Sequence, residues 1–145
     1  EVSLGKGMPE PDYAFNKKRN QYLSTMILNA LTKEREYAPY EKILGMVDHD
    51  LYVPDLNFVF GEASQKAAVI SITRLRQEFY GLPADESLFR ERAVKEAVHE
   101  LGHIYGLGHC PDPTCVMHFS NSLHDTDLKE WKFCPICQRK VSRKA

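Results

Sequence analysis

Apolar residues recur with a helical period between residues 16 and 35. Charged residues flank these apolar positions on both sides. Because residues four apart share one face of a helix, the pattern predicts an amphipathic helix over 16–35 that packs by that face. The apolar positions are Tyr22, Leu23, Met26, Ile27, Ala30 and Leu31.

Short segments rich in strand-forming residues follow this helix. Residues 43–47, 57–60 and 68–73 have this composition, and turn-forming residues such as Asp, Pro and Gly separate them. We expect these segments to form three strands of a small sheet, and we expect residues 2–4 to add a fourth.

A second helical pattern begins near Asp85 or Ser87, since either side chain can accept a hydrogen bond from a free amide at a helix start. An apolar stripe then continues to about Tyr105, and Gly106 and Gly108 follow it. Glycine leaves helical geometry easily, so the helix is predicted to end there. Beyond it the composition shifts to Pro, Asp, Cys and basic residues, which indicates an irregular segment.

This second helix carries the sequence His99-Glu-Leu-Gly-His103, and His109 follows shortly after it. Because residues four apart project from nearly the same face, the imidazoles of His99 and His103 can converge on one metal ion. Gly106 can take a positive φ, which would bring His109 round as a third nitrogen. Three histidines with one open position are typical of a catalytic zinc site, and Glu100 is placed to act on a water there without binding the metal.

A His-Glu-x-x-His pattern alone also occurs on helices that bind no metal. The added glycine and the third histidine, at these spacings, favour catalytic zinc over that alternative.

All four cysteines form a second group near the C-terminal end. Cys110 and Cys115 are spaced C-x₄-C, and Cys134 and Cys137 are spaced C-x₂-C. The segment between the pairs is long enough to fold back around a tetrahedral ion, which indicates a structural zinc site. Two disulfides are the alternative, and the absence of a secretory signal disfavours them.

Composition excludes several classes of protein. With 145 residues, 43% of them hydrophobic and 27% charged, the chain fits one folded domain, and no apolar run approaches the ~20 residues of a membrane span. A net charge of -1 gives no general attraction to nucleic acid or to a membrane surface. We therefore expect neither as a partner, and we expect a cytoplasmic location. A solvated basic tail is expected from Lys129, Lys132, Arg139, Lys140, Arg143 and Lys144.

Residues 99–109 match the extended zinc-binding motif of the metzincin metalloproteases. With the four cysteines and Met117 included, the chain resembles the archaemetzincins. This resemblance implies a compact α+β fold: a small, mixed, twisted sheet, a backing helix, an active-site helix and an irregular or helical C-terminal segment stapled by zinc. The antiparallel edge strand that it implies along the cleft is assigned here to residues 57–60.

The resemblance also implies roles for individual residues. It places one zinc ion on the three histidines and a second zinc ion on the four cysteines, with Glu100 as general base and Met117 in a Met-turn beneath the catalytic metal. One departure concerns the turn, in which astacin-like members carry Met-His-Tyr and this chain has Met117-His118-Phe119. Phe119 has no hydroxyl to donate, so another group must stabilise the oxyanion.

These observations predict zinc-dependent hydrolysis of peptide bonds in a peptide or protein substrate. We expect a single domain over 1–145, with an N-terminal subdomain over 1–106 and a C-terminal subdomain over 107–145. The alternative is a non-catalytic zinc module that binds protein or nucleic acid through the four-cysteine ribbon. Glu100 favours the enzyme, because a site that only binds has no need of that carboxylate. The oligomeric state stays open.

Overall fold

Residues 1–144 are described by a computed structural model, which confirms the predicted α+β class. The strands are β1 Phe15–Asn16, β2 Gln21–Leu23, β3 Ile43–Val47, β4 Leu51–Tyr52, β5 Gly61–Ala63 and β6 Ala67–Ser71. The α-helices are α1 Ser24–Lys33, α2 Glu86–Ile104, α3 Leu123–Leu128 and α4 Pro135–Lys144. Short 3-10 turns span Asp12–Ala14, Arg35–Tyr37, Thr73–Leu75 and Gln77–Tyr80.

The sheet that supports the cleft has the order β3-β6-β5. β6 pairs in parallel with β3 and antiparallel with β5, so β5 is an edge strand. All five residues of β6 are buried, and both α1 and α2 pack against this strand. Its first four residues form a continuous apolar run, which is typical of the covered centre of a sheet. A second, smaller sheet has the order β1-β2-β4, in which β2 pairs antiparallel with β1 and parallel with β4.

The helix predicted over 16–35 is wrong in its first half. Residues 15–23 form the β1–β2 hairpin, and α1 begins only at Ser24. The side chain of Asn16 accepts hydrogen bonds from the amides of Lys18 and Arg19, and Asn20 takes a φ of 53°. Asparagine supports both features, and together they close a turn that a helix cannot contain.

The strand predictions are confirmed at 43–47 and are nearly correct at 68–73, where β6 runs from Ala67 to Ser71. Residues 57–60 form no strand. Val59 makes only an isolated bridge with Leu51, and the edge strand begins one residue later, at Gly61. Residues 2–4 also form no strand, because no other part of residues 1–144 pairs with them.

Helix α2 begins after the predicted cap, Asp85, and ends before the predicted glycine, Gly106. The Asp85 side chain accepts a hydrogen bond from the Leu88 amide at 3.0 Å and caps the first turn. At the other end Gly106 takes a φ of 87°, its amide bonds to the His103 carbonyl at 2.9 Å, and the Leu107 amide bonds to the Gly102 carbonyl at 2.9 Å. This pair of bonds is a Schellman motif, which reverses the chain directly after the helix.

Residues 107–144 combine an irregular loop with α3 and α4. The loop returns to α2, and α4 places Cys137 in a small core that also contains Leu107, Val116 and Met117. Among the helices of residues 1–144, none is both long and apolar enough to span a bilayer.

Candidate metal centres

The three histidines of the motif converge at one end of a cleft. His99 and His103 lie one turn apart on α2, and their Nε2 atoms are 3.1 Å apart. One ring nitrogen from each of His99, His103 and His109 lies within 4.8 Å of the other two. Two nitrogens bound to one tetrahedral zinc at about 2.05 Å are about 3.3 Å apart, so the donor set fits that ion.

Backbone carbonyls orient two of the three rings. Nδ1 of His99 lies 2.7 Å from the Val116 carbonyl oxygen, and Nδ1 of His103 lies 2.8 Å from the Leu107 carbonyl oxygen. A carbonyl only accepts hydrogen bonds, so each Nδ1 carries the proton and donates it. The Nε2 atoms are therefore left with the lone pairs that a metal needs.

The surroundings of His99 and His109 disfavour the protonated form of both imidazoles. Burial lowers the pKa of His99 to about 3, and the nearby Lys129 ammonium contributes to the shift. Burial, followed by the neighbouring His103, lowers the pKa of His109. Metal ligation requires neutral imidazole, so both shifts favour a metal site.

Glu100 forms part of the cleft wall between α2 and β5. Its side chain is buried, and a Cβ added to Gly61 would lie 2.9 Å from both Cγ and Oε1 of Glu100. Only glycine lets the edge strand approach the carboxyl group this closely. Burial raises the pKa of Glu100 to about 8, and the carboxylates of Glu96 and Glu62 add to the shift.

The cleft itself encloses about 390 Å³. Its walls are β5 with the segment before it on one side, and α2 with the segment after the Met-turn on the other. The ring of Phe119 lies 5.0 Å from the ring of His109, measured between centroids. Other lining residues are Val53, Asn57, Phe58, Phe60, Ser120 and Asn121.

The Met-turn, residues 115–118, is a tight turn closed by a 3.0 Å hydrogen bond from the His118 amide to the Cys115 carbonyl. Met117 is fully buried within it. Its side chain packs on Gly102, where an added Cβ would overlap the sulfur and lie 3.1 Å from both Met117 Cε and Phe133 Cε1. The methionine therefore supports α2 directly beside His103.

The four cysteines also converge. Their sulfurs all lie within 4.8 Å of one another, and Sγ of Cys110 is 3.8 Å from Sγ of Cys134. Thiolates on a tetrahedral zinc, with bonds of about 2.3 Å, are about 3.8 Å apart, whereas a disulfide requires about 2.05 Å. All four are free thiols, which disagrees with the alternative of two disulfides.

Backbone amides point at two of these sulfurs. Cys115 Sγ accepts from the amides of Met117 at 3.4 Å and Cys134 at 3.3 Å. Cys134 Sγ accepts from the amide of Cys137 at 3.5 Å, and this hydrogen bond lowers the pKa of Cys134 to about 7. Burial raises the pKa of Cys110 and of Cys137. Such N–H donors stabilise thiolates, the form that binds zinc.

Two buried charges next to the histidines were missed by the sequence analysis. Lys129, expected in a solvated tail, is 2% exposed, and Glu96 is also 2% exposed. Glu96 lies one helical turn before Glu100, so its spacing on α2 is a signal that places it near the site. Lys129 has no such local signal, because its burial depends on how α3 packs against α2.

The chain is similar to known proteins over nearly its whole length. A family model described as peptidase family M54 matches residues 8–143. The archaemetzincin of Pyrococcus horikoshii is 50% identical, over an alignment that covers 99% of this chain and 78% of that protein.

Two solved structures share the fold. The archaemetzincin of Methanopyrus kandleri is 44% identical with a TM-score of 0.84, and the match covers 93% of this chain and 72% of that one. A zinc-dependent peptidase from Methanocorpusculum labreanum is 37% identical with a TM-score of 0.82, covering 88% of this chain and 78% of that one. The chain therefore belongs to peptidase family M54, the family of the archaemetzincins, and is a zinc metallopeptidase.

Proposed function

We propose that this chain cleaves peptide bonds in the cleft between β5 and α2, with a catalytic zinc ion on His99, His103 and His109. The observation that carries the proposal is the convergence of three imidazoles, with one ring nitrogen of each within 4.8 Å of the others, at a cleft whose wall contains the Glu100 carboxyl group. A site that only bound metal would not require this carboxyl group.

Glu100 is the general base of this proposal. A zinc ion held by the imidazoles would polarise the scissile carbonyl, lower the pKa of water to about 7 and favour the ionised form of Glu100. Glu100 accepts a proton from the attacking water and passes it to the leaving amine. Its buried position supports the transfer, because burial raises the pKa of Glu100 to about 8 in the metal-free protein and so makes the ionised carboxylate a stronger base than a solvated one.

The substrate is placed by β5. An extended peptide can add to this edge strand, so that main-chain hydrogen bonds supply affinity and side-chain pockets supply selectivity. Phe119 has no hydroxyl for the oxyanion, so we assign that role to a neutral donor of the cleft wall. The lining offers Asn57, Ser120 and Asn121 as side-chain candidates.

A second, structural zinc ion belongs to Cys110, Cys115, Cys134 and Cys137 in this proposal. The 3.8 Å separation of two of the sulfurs supports it, as do the amide hydrogen bonds to Cys115 and Cys134. Neither site includes a carboxylate, and nitrogen and sulfur donors suit zinc better than calcium or magnesium. We therefore expect two zinc ions per chain.

The test is Glu100→Gln, measured by metal analysis and by cleavage of a broad peptide library. We expect two zinc ions in both proteins, with cleavage by the variant reduced at least about 100-fold. Glu86→Gln, an exposed change at the start of α2, is the matched control and should cleave at the wild-type rate. Cleavage by zinc-loaded Glu100→Gln at the wild-type rate would exclude Glu100 as the base. A wild type that holds two zinc ions yet cleaves no peptide would favour the non-catalytic binding module.

A further inference from the structure

A buried ammonium group lies directly behind the first histidine. Lys129 follows α3, and its side chain is fully buried. Its Nζ lies 3.1 Å from the His118 carbonyl oxygen, 3.7 Å from Glu96 Oε1 and 3.4 Å from His99 Nδ1. Since His99 Nδ1 already donates to Val116, the ammonium touches that nitrogen without bonding to it, and it donates to the His118 carbonyl instead.

Stability alone does not explain this pair of charges. Glu96 is also buried, and its carboxylate accepts a hydrogen bond from Thr126 Oγ1 at 3.0 Å. Removing two charges from water costs free energy that their attraction only partly returns, and well-packed apolar residues in their place are often at least as stable. A buried ion pair against a metal ligand therefore calls for a role beyond packing.

The Met-turn connects the buried ion pair to His99. Its residues Val116 and His118 flank Met117, and the carbonyls of both face the side of α2 that carries His99. The Val116 carbonyl orients the His99 ring, and the His118 carbonyl is held by Lys129. Two carbonyls of this one turn are thus fixed, one by an imidazole and the other by an ammonium group.

We infer that Lys129 is a positioning residue for His99: its ammonium group, neutralised by Glu96, holds the His118 carbonyl and thereby keeps the Val116 carbonyl on the Nδ1–H of the ligand. This inference rests on the proposed histidine zinc site. Partners that fix the orientation of a metal ligand commonly change metal affinity 10-fold to 100-fold when they are removed.

The test compares Lys129→Met with Lys95→Met. Lys95 is the matched control, because it is buried on α2 and donates to the carbonyls of Thr126 and Asp127, yet it makes no hydrogen bond to His99 or to the Met-turn. Zinc affinity at the histidines is measured by chelator competition. Exchange of the His99 Nδ1–H proton is measured by NMR on protein stripped of metal.

We expect Lys129→Met to weaken zinc binding at the histidines about 10-fold to 100-fold and to accelerate exchange of that proton. Lys95→Met should leave both quantities near the wild-type values, although both variants lose thermal stability. Unchanged or tighter zinc binding in Lys129→Met would overturn the positioning role, because the ammonium would then act through its charge or not at all. An equal loss in Lys95→Met would overturn it as well.

Lys129→Met alone leaves the buried Glu96 carboxylate without its partner. The double variant Glu96→Gln with Lys129→Met therefore distinguishes the loss of positioning from the effect of that unpaired charge. It removes both charges, so we expect it to fold even if Lys129→Met alone does not. We expect its zinc affinity to stay low, and recovery to the wild-type value would overturn the inference. If the wild type binds no zinc at the histidines, the proposed function fails, while the proton exchange rate still tests Lys129 by itself.

Discussion

The amide of Cys110 donates to the carbonyl of Met117 over 2.9 Å. His109 immediately precedes Cys110, so the third proposed catalytic ligand and the first proposed structural ligand share one short piece of backbone. This hydrogen bond ties that piece to the Met-turn, whose Val116 carbonyl orients His99. The two proposed metal sites are thereby mechanically connected.

Loss of the cysteine site should therefore weaken the histidine site. A structural zinc supplies on the order of 10 kcal/mol of binding free energy, enough to decide whether the loop after α2 is ordered. We expect Cys134→Ser with Cys137→Ser to lower zinc content from two ions to one or fewer, to weaken the remaining zinc and to reduce hydrolysis. Metal analysis and chelator competition measure this.

The control for that experiment is Ile136→Ser. Ile136 lies between the two cysteines and is 57% exposed, so its replacement perturbs the same hook without removing a ligand. Full-affinity zinc at the histidines of the double serine variant would disprove the coupling.

Gly102→Ala should destabilise the protein although alanine favours helix. The helix gains about 1 kcal/mol from the exchange, but the added methyl group overlaps the Met117 sulfur, and overpacking of this kind costs about 1–3 kcal/mol. We expect a lower thermal midpoint and weaker zinc binding at the histidines. Gly108→Ala, where an added Cβ meets nothing within 4 Å, is the control and should leave both near the wild-type values.

Acid should remove stability from the metal-free protein through the histidines. The pKa of His99 is about 3 in the folded protein, whereas an unfolded imidazole titrates near 6.5. The unfolded state therefore binds the extra proton between these values, so the free energy of unfolding falls as the pH drops from about 6.5 toward 3. Urea unfolding across that range, with a chelator present, measures the slope. His99→Phe should reduce it, and an unchanged slope would assign the titration to other groups.

Raising the pH should lower the free energy of unfolding of the metal-free protein through Glu100. Its folded pKa of about 8 lies above the unfolded value of about 4.5, so the folded state holds the proton longer and loses relative stability as the pH rises from 4.5 through 8. Glu100→Gln has no charge to bury, so we expect it to be more stable than the wild type above pH 8. The exposed change Glu86→Gln should show no such gain. Equal unfolding of Glu100→Gln and wild type above pH 8 would contradict the shift.

Local patterns predicted the parts of the fold that depend on local chemistry. Helix α2 was predicted within about one residue at each end, because Asp85 and Gly106 carry their capping geometry in their own side chains and backbone. The segments at 43–47 and 68–73 were predicted from composition, since strand β6 is a continuous apolar run. The convergence of His99 and His103 follows from their spacing along α2, that of His109 from the turn at Gly106, and that of the cysteines from two short hooks.

The remaining features depend on contacts that no short window contains. Tyr22 and Leu23 match a helical face, yet they pair with β4, which lies almost thirty residues further along the chain. Lys129 follows α3, and its burial requires α3 to pack on α2. Glu96, the carboxylate that neutralises it, lies on α2. The division of the chain at residue 106 into two subdomains stays a prediction.

Edge strand β5 offers the cleft very few backbone groups. The Phe60 carbonyl, just before the strand, accepts from the Ser71 amide at 2.8 Å, and inward-facing and outward-facing residues alternate in an antiparallel ladder. Gly61 and Ala63 therefore turn their N–H and C=O groups away from β6. Within residues 1–144 no strand pairs with this outer edge.

A peptide bound at this edge would form backbone hydrogen bonds with β5 at every second residue. Methylating the substrate amides one at a time should slow cleavage strongly at alternate positions and weakly at those between, because only every second amide faces Gly61 or Ala63. Kinetics on a set of singly N-methylated peptides would reveal this alternation, and a smooth profile would place the substrate elsewhere in the cleft. Only Gly61 and Ala63 of β5 offer backbone groups to a substrate. Such an enzyme would therefore recognise the extended shape of a short unfolded stretch more than its length.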